Sequence, residues 1–128
     1  MGTCDSYCKN YGKYAYTLFR VLFGLLFFLH GYSKFAKGMP SGLMLVAGVV
    51  ELLVGATVVL GLFTRLMVTL GAIQMLVAYF KVHFVNGLSP LANGGEAALL
   101  FFAGFLAITV YGNGWLSLEK VLLKKETF

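Results

Sequence analysis

Glu51 is the residue of this sequence best placed to do chemistry. It sits near the middle of an apolar stretch, residues 43–62, that carries no other charge. Gly48 lies three residues before it and Gly55 four after, so on a helix the three share one face. A carboxylate at the centre of a hydrocarbon layer costs several kcal/mol unless it is paired, neutralised or wet. One reading is a buried polar site that can hold or pass a proton. The other is a helix-packing ion pair with no chemistry. Arg20, Gly24, Phe27, Gly31 and Lys34 form a second inward stripe at helical spacing, and Gly71, Gln74, Ala78 and Lys81 a third. At 1.5 Å per residue, Arg20 and Glu51 come out roughly 7 Å apart along the membrane normal, which an arginine side chain can bridge. The expectation is a buried Arg20–Glu51 pair with Gln74 as a third member.

A second set of polar residues falls within about two helical turns of the opposite membrane surface: His30, Lys34, Lys81, His83 and Glu96. Lys34 and Glu96 form a plausible pair, and Glu96 also opens a helix whose dipole favours a carboxylate there. The functional reading is a wet pocket for a polar headgroup, such as a quinone ring or an anion. The bland reading is interfacial charge that snorkels outward. Two histidines on separate helices do not make a metal site, and none is expected. No dinucleotide fingerprint, P-loop, zinc-protease helix or paired CxxC occurs.

Helices in a bilayer must position these groups. Of 128 residues, 59% are hydrophobic and only 12% charged, about half the charge of an average soluble domain. Four apolar stretches, near 14–33, 41–62, 66–82 and 96–111, approach the ~20 residues needed to span. They leave room for nothing else, so the chain is one domain. The turns between them are short, which makes neighbouring helices antiparallel. Gly112-Asn113-Gly114 breaks the fourth helix, and Ser117 can cap an amphipathic tail. The expected fold is all-α: an integral membrane up-down four-helix bundle, with a polar N-terminal tail at 1–13, a membrane domain at 14–118 and a short C-terminal amphipathic tail at 119–128. Gly24/Gly31 and Gly48/Gly55 mark the first two spans as an intimate pair.

Charge sets the orientation. Seven of the ten Lys and Arg residues fall on the side of the termini and three on the other, which predicts cytoplasmic termini. The net charge of +5 therefore reads as topology and contact with anionic lipid, not nucleic-acid binding. Tyr7, Tyr11, Tyr14, Tyr16, Tyr111 and Trp115 form an aromatic belt on the same side. The first apolar run is too long for a cleaved signal and lacks a cleavage site, so it is expected to stay as a start-transfer helix. Cys4 and Cys8 precede it; in the cytoplasm they stay reduced, and a spacing of four suits half a metal site, a redox pair or a plain polar tail. The start Met1-Gly2-Thr3-Cys4-Asp5-Ser6 also fits a myristoylation pattern.

Several of these motifs together resemble the DoxX family. Arg20 with Gly24, then His30-Gly31-Tyr32-Ser33-Lys34, is similar to its R…G…HGxxK signature. Glu51-Leu52-Leu53-Val54-Gly55 resembles its ExxxG, Gly61-Leu62-Phe63-Thr64-Arg65 its GLxTR turn, and Gly95-Glu96 its fourth-span opening. Gly112-Asn113-Gly114-Trp115-Leu116-Ser117-Leu118 resembles its GxGxxSL ending, with Glu119 where an Asp is common. The Cys4/Cys8 tail is outside that pattern. The resemblance covers about residues 14–120 and implies a four-helix membrane protein, in a family that includes membrane subunits of thiosulfate:quinone oxidoreductase, with related eukaryotic proteins that act as cargo receptors or receptor-assembly chaperones.

The functional expectation is a small plasma (inner) membrane subunit of a quinone-linked redox system. It would have no intrinsic cofactor, with a quinone as candidate ligand. Its pocket would comprise Arg20, Glu51, Gln74, His30, Lys34 and Glu96, with Glu51 as the candidate catalytic group. Its partners would be the bilayer, other membrane or redox subunits and further copies of itself. The alternatives are an assembly scaffold that binds partner helices through its glycine faces, and a small-solute or proton transporter working as an oligomer.

Overall fold

The structure is a computed structural model and describes residues 3–125. The Met1-Gly2 start and the last three residues of the C-terminal tail lie outside the described residues. All regular structure among the described residues is helical: α1 (Thr3–Ala36), α2 (Gly42–Leu60), α3 (Thr64–Ala78), α4 (Glu96–Tyr111) and α5 (Leu118–Leu123). A π-helical turn, Tyr79–His83, and a 3-10 turn, Phe84–Asn86, extend α3. α1, α2 and the continuous segment Thr64–Asn86 are each long and apolar enough to cross a membrane; α4 is apolar but shorter, at 16 residues. Leu18, Leu22, Leu25, Leu26 and Leu29 of α1 lie exposed, as do Leu43, Val46, Val49 and Leu53 of α2. Apolar faces of this extent are stable against lipid and not against water. The chain is a membrane protein.

Helix α1 packs along α2 and α3 along α4. Glycine sets the first contact. A Cβ on Gly55 would meet the backbone of Phe28 at 2.5 Å, and one on Gly31 would meet Glu51 and the Gly48 carbonyl at 2.9 Å. Gly24 sits against Val59 and Gly55. The two glycine pairs therefore face each other, antiparallel, and the backbones nearly touch. These faces are occupied within the chain, so a scaffold would have to bind its partners by other surfaces.

Aromatic rings join the two pairs. Phe27 packs edge-on against Phe105 with centroids 4.8 Å apart, and Phe23 and Phe101 flank them. Gly104 leaves the space that the Phe23 ring fills. Phe27, Val54, Val58, Val68, Phe105 and Ile108 are wholly buried there.

Helix α1 begins at Thr3, where a polar tail was expected. At 1.5 Å per residue its 34 residues reach about 50 Å, longer than the ~30 Å hydrocarbon core. From Cys4 to Ala15 every residue is exposed. The predicted helix break holds: Gly112 and Gly114 have φ of 70° and 71°, a left-handed conformation that suits glycine. Ser117 then accepts from the Lys120 amide to cap α5.

Candidate functional site

Glu51 is buried in the middle of α2, at 4% exposure. Its carboxylate has two partners. Lys34 Nζ donates to Oε2, and Gln74 Nε2 donates to Oε1 at 3.0 Å. The same Gln74 nitrogen lies 3.2 Å from the Ala47 carbonyl. Both neighbours can only accept, which fixes which end of the amide is the nitrogen. Gly48 and Gly31 make the cluster possible. The Lys34 stem passes 3.6 Å from where a Gly48 Cβ would be, and Gly31 lets α1 close onto the Glu51 Cβ. The ammonium and the carboxylate thus meet one turn in from the end of α1.

The expected Arg20–Glu51 pair is not formed. Arg20 lies at the other end of the helices, 1% exposed, and donates to the Val58 carbonyl at 2.9 Å and to the Leu116 carbonyl at 2.6 Å. Gly24 against Gly55 and Gly31 against Gly48 align the helices so that Arg20 falls beside Gly61. Arg20 and Gly31 are eleven residues apart, so Arg20 is displaced about 16 Å along α1 from the Glu51 level. It caps the end of α2 and ties down the C-terminal segment. Glu119, wholly buried, completes that closure: it accepts from the Asn113 side chain at 2.6 Å and from the Phe63 amide at 3.2 Å. Its own amide donates to the Gly61 carbonyl.

The expected Lys34–Glu96 pair is not formed either, because Lys34 turns to Glu51. Glu96 is exposed at the first residue of α4. Gln74 does join Glu51, alongside Lys34 and not Arg20.

The Lys34–Glu51–Gln74 cluster forms part of the wall of a cavity of about 550 Å³. His30, Lys81 and His83 also line it, whereas Arg20 and Glu96 do not. The remaining walls are apolar, among them Phe27, Val50, Met75 and Phe101. Met44 and Val46 of α2, with Leu70, Ile73 and Val77 of α3, line it and are themselves exposed. The cavity therefore opens sideways, between α2 and α3, toward lipid. The His30 ring stands perpendicular to Phe101 at 5.2 Å. His83 Nδ1 lies 3.2 Å from the Asn93 carbonyl, so it carries the proton there and leaves Nε2 as the acceptor of the neutral ring.

The loop before α4 is held by Asn93, which sequence reasoning did not single out. Asn93 is buried, donates to the Gly87 carbonyl and accepts from the Gly95 amide. The signal was the Asn93-Gly94-Gly95 turn, whose asparagine can bond its own backbone two residues on. The cavity itself left a weaker signal: Ala47 and Ala78 line it at positions where a longer side chain would fill the space.

A family model described as DoxX matches residues 15–84. The chain is 35% identical to a protein of Haemophilus influenzae described as "Uncharacterized protein", an alignment covering 91% of this chain and 97% of that one. It is 29% identical to a Bacillus subtilis protein named "Putative oxidoreductase CatD", over 84% of this chain and 86% of that one. No solved structure matches.

Proposed function

We propose that this chain, which belongs to the DoxX family, is an accessory membrane subunit of a quinone-linked redox system and receives the quinone headgroup in its lateral cavity. One observation carries the reading: an ion pair with a buried carboxylate, Lys34–Glu51, lies in the wall of an apolar cavity whose edge faces lipid. A membrane-soluble molecule with a polar head can reach it without passing through water. The word "oxidoreductase" in the name of the Bacillus relative points the same way.

The residues fit such a guest. Lys34 has two N–H groups beyond the one given to Glu51, which suits the carbonyl acceptors of a quinone ring. Phe27, His30 and Phe101 offer flat surfaces beside it. Gln74 Oε1 is buried with no hydrogen-bond partner, an acceptor left over where a guest hydroxyl or a water can be met after a small side-chain movement. A bound quinone would supply the two-electron, two-proton chemistry. The chain's own part is to orient the ring, exclude water with its apolar walls, and hold a proton at the Glu51 carboxylate or the Lys34 amine. The electrons are assigned in this reading to a partner subunit.

In this reading α4 also crosses, giving four spans in an up-down bundle of the inner membrane. The seven-to-three distribution of basic residues then places both termini in the cytoplasm.

The test is Glu51→Gln, which keeps the shape and removes the titratable charge. The protein is purified in mild detergent with whatever subunits accompany it, and bound quinone and quinone-linked turnover are measured. Turnover should be abolished while assembly persists. Unchanged turnover with normal assembly removes Glu51 from the chemistry and leaves only its role in packing.

A further inference from the structure

The cavity is more basic than a neutral quinone ring requires. Four basic side chains line it, His30, Lys34, Lys81 and His83, against one carboxylate, Glu51. That carboxylate is already shared by Lys34 and Gln74. Lys81 has no ion-pair partner among the described residues. The site therefore holds an unmatched ammonium, further N–H groups on Lys34, and two imidazoles, beside apolar walls that open to lipid.

Depth adds a second constraint. Lys34 lies in the last turn of α1, and Lys81 in the π-helical turn five residues before the end of the long α3 segment at Asn86. The Lys34 amine reaches inward to Glu51, while the Lys81 amine stands near the end of a spanning helix, toward the level where lipid headgroups lie. From there the cavity runs inward past Ala47 and Ala78 to Val50 and Met75. A guest that satisfies both features carries negative charge at one end and an apolar chain beyond it. Its charge would meet the Lys81 ammonium near the interface without entering hydrocarbon, where it would be costly, and a charge-assisted hydrogen bond would hold it. A volume of about 550 Å³ is that of a site for one drug-sized molecule, which favours one acyl chain over two.

We infer that this cavity binds a long-chain carboxylate, a single-chain fatty acid. Its head lies at Lys81 and its chain runs past Lys34 and leaves between α2 and α3, so it competes with any quinone for the same space. The inference rests on the reading above that the cavity admits amphiphiles from lipid, and goes beyond it in the charge of the guest.

The test uses the full chain in zwitterionic nanodiscs, with the unfolding temperature read against added oleate, oleyl alcohol, a decyl-benzoquinone and palmitoyl-oleoyl-phosphatidylglycerol. Oleate should raise the midpoint, and the uncharged alcohol should need about tenfold more for the same effect, the equivalent of one charge-assisted hydrogen bond. Lys81→Gln, an exposed position, should weaken the oleate response about tenfold on the same arithmetic. Lys37→Gln, at the same end but outside the lining, should leave it as in the wild type. An equal response to alcohol and oleate overturns the inference. So does an oleate response untouched by Lys81→Gln or equally lost in Lys37→Gln, and so does a response to phosphatidylglycerol without one to oleate. Stabilisation by the benzoquinone but not by oleate sinks this inference and leaves the quinone reading standing; the reverse result sinks the quinone reading alone. Silence from every amphiphile overturns both.

Discussion

A pair of double-mutant cycles decides which cation Glu51 meets. Lys34→Met would leave the Glu51 carboxylate buried with Gln74 as its one side-chain donor. Breaking a buried pair from one side costs about 3–5 kcal/mol. Lys34 keeps 22% of its side chain exposed, so the low end, about 3 kcal/mol, is expected. Glu51→Leu removes the buried charge, frees Lys34 to turn outward, and leaves the Gln74 amide short of an acceptor, for about 1–3 kcal/mol. The double variant should cost less than the sum, because the carboxylate stranded in the first is absent. A coupling of about 1–3 kcal/mol is expected from groups in direct contact. The parallel cycle pairs Arg20→Leu with Glu51→Leu. These sites are offset by about 16 Å along α1, and their effects should add to within about 0.5 kcal/mol. The assay is reversible unfolding in mixed micelles, followed by circular dichroism. Coupling between Arg20 and Glu51, with additivity between Lys34 and Glu51, would refute the register from which these magnitudes are derived.

Three further outcomes follow from the packing. Arg20→Leu should cost about 3 kcal/mol, as two charge-assisted hydrogen bonds to carbonyls are lost; Arg20→Lys should recover little of it in the same unfolding assay, because a point ammonium does not reproduce the planar fork. Gly55→Ala should drive α1 off α2, since its Cβ would meet the Phe28 backbone at 2.5 Å; overpacking of about 1–3 kcal/mol should appear as a lower unfolding midpoint, whereas Gly12→Ala, with open space around it, should not lower it. Cys4 and Cys8 are exposed and, with cytoplasmic termini, should react in intact cells with a permeant maleimide and not with an impermeant one; labelling by the impermeant reagent reverses the orientation.

The apolar stretches, the Gly112–Gly114 break, the Ser117 cap and the inward faces of Glu51 and Gln74 were all legible, because each depends on local spacing. Partner choice across helices was not. The centre of an apolar run is a poor measure of depth, and for α1 it misleads: the helix runs from Thr3 to Ala36, longer than a hydrocarbon core needs. Length cannot say which twenty of its residues lie in lipid. The glycines could have said so. Gly24 and Gly31 against Gly55 and Gly48, laid antiparallel, bring Lys34 within a turn of Glu51 and send Arg20 to the Gly61 turn. Close backbone approach is a stronger constraint on register than hydrophobic length, because a Cβ at 2.5 Å is forbidden while a few ångströms of mismatch cost fractions of a kcal/mol per Å. The His83–Asn93 clamp and the sideways opening of the expected pocket left weaker signals, since a π-helical turn and the packing of α2 against α3 are set across helices and not by local spacing.

The two ends of the molecule also show that burial of a charge does not by itself mark function. Arg20 and Glu119 are more deeply buried than Lys34 and Glu51, yet they form the structural end. Their partners include fixed backbone groups: Arg20 donates to two carbonyls, and Glu119 accepts from the Phe63 amide. Such groups are fixed once the chain is folded, and together they close the Gly61 turn onto the C-terminal segment. At the other end the ion pair is side chain to side chain, one member is partly exposed, and both border empty space that opens to lipid. There a guest can compete for the same donors. The sequence puts an inward charge on both the first and second spans, and what separates a latch from a site is whether a cavity lies beside it.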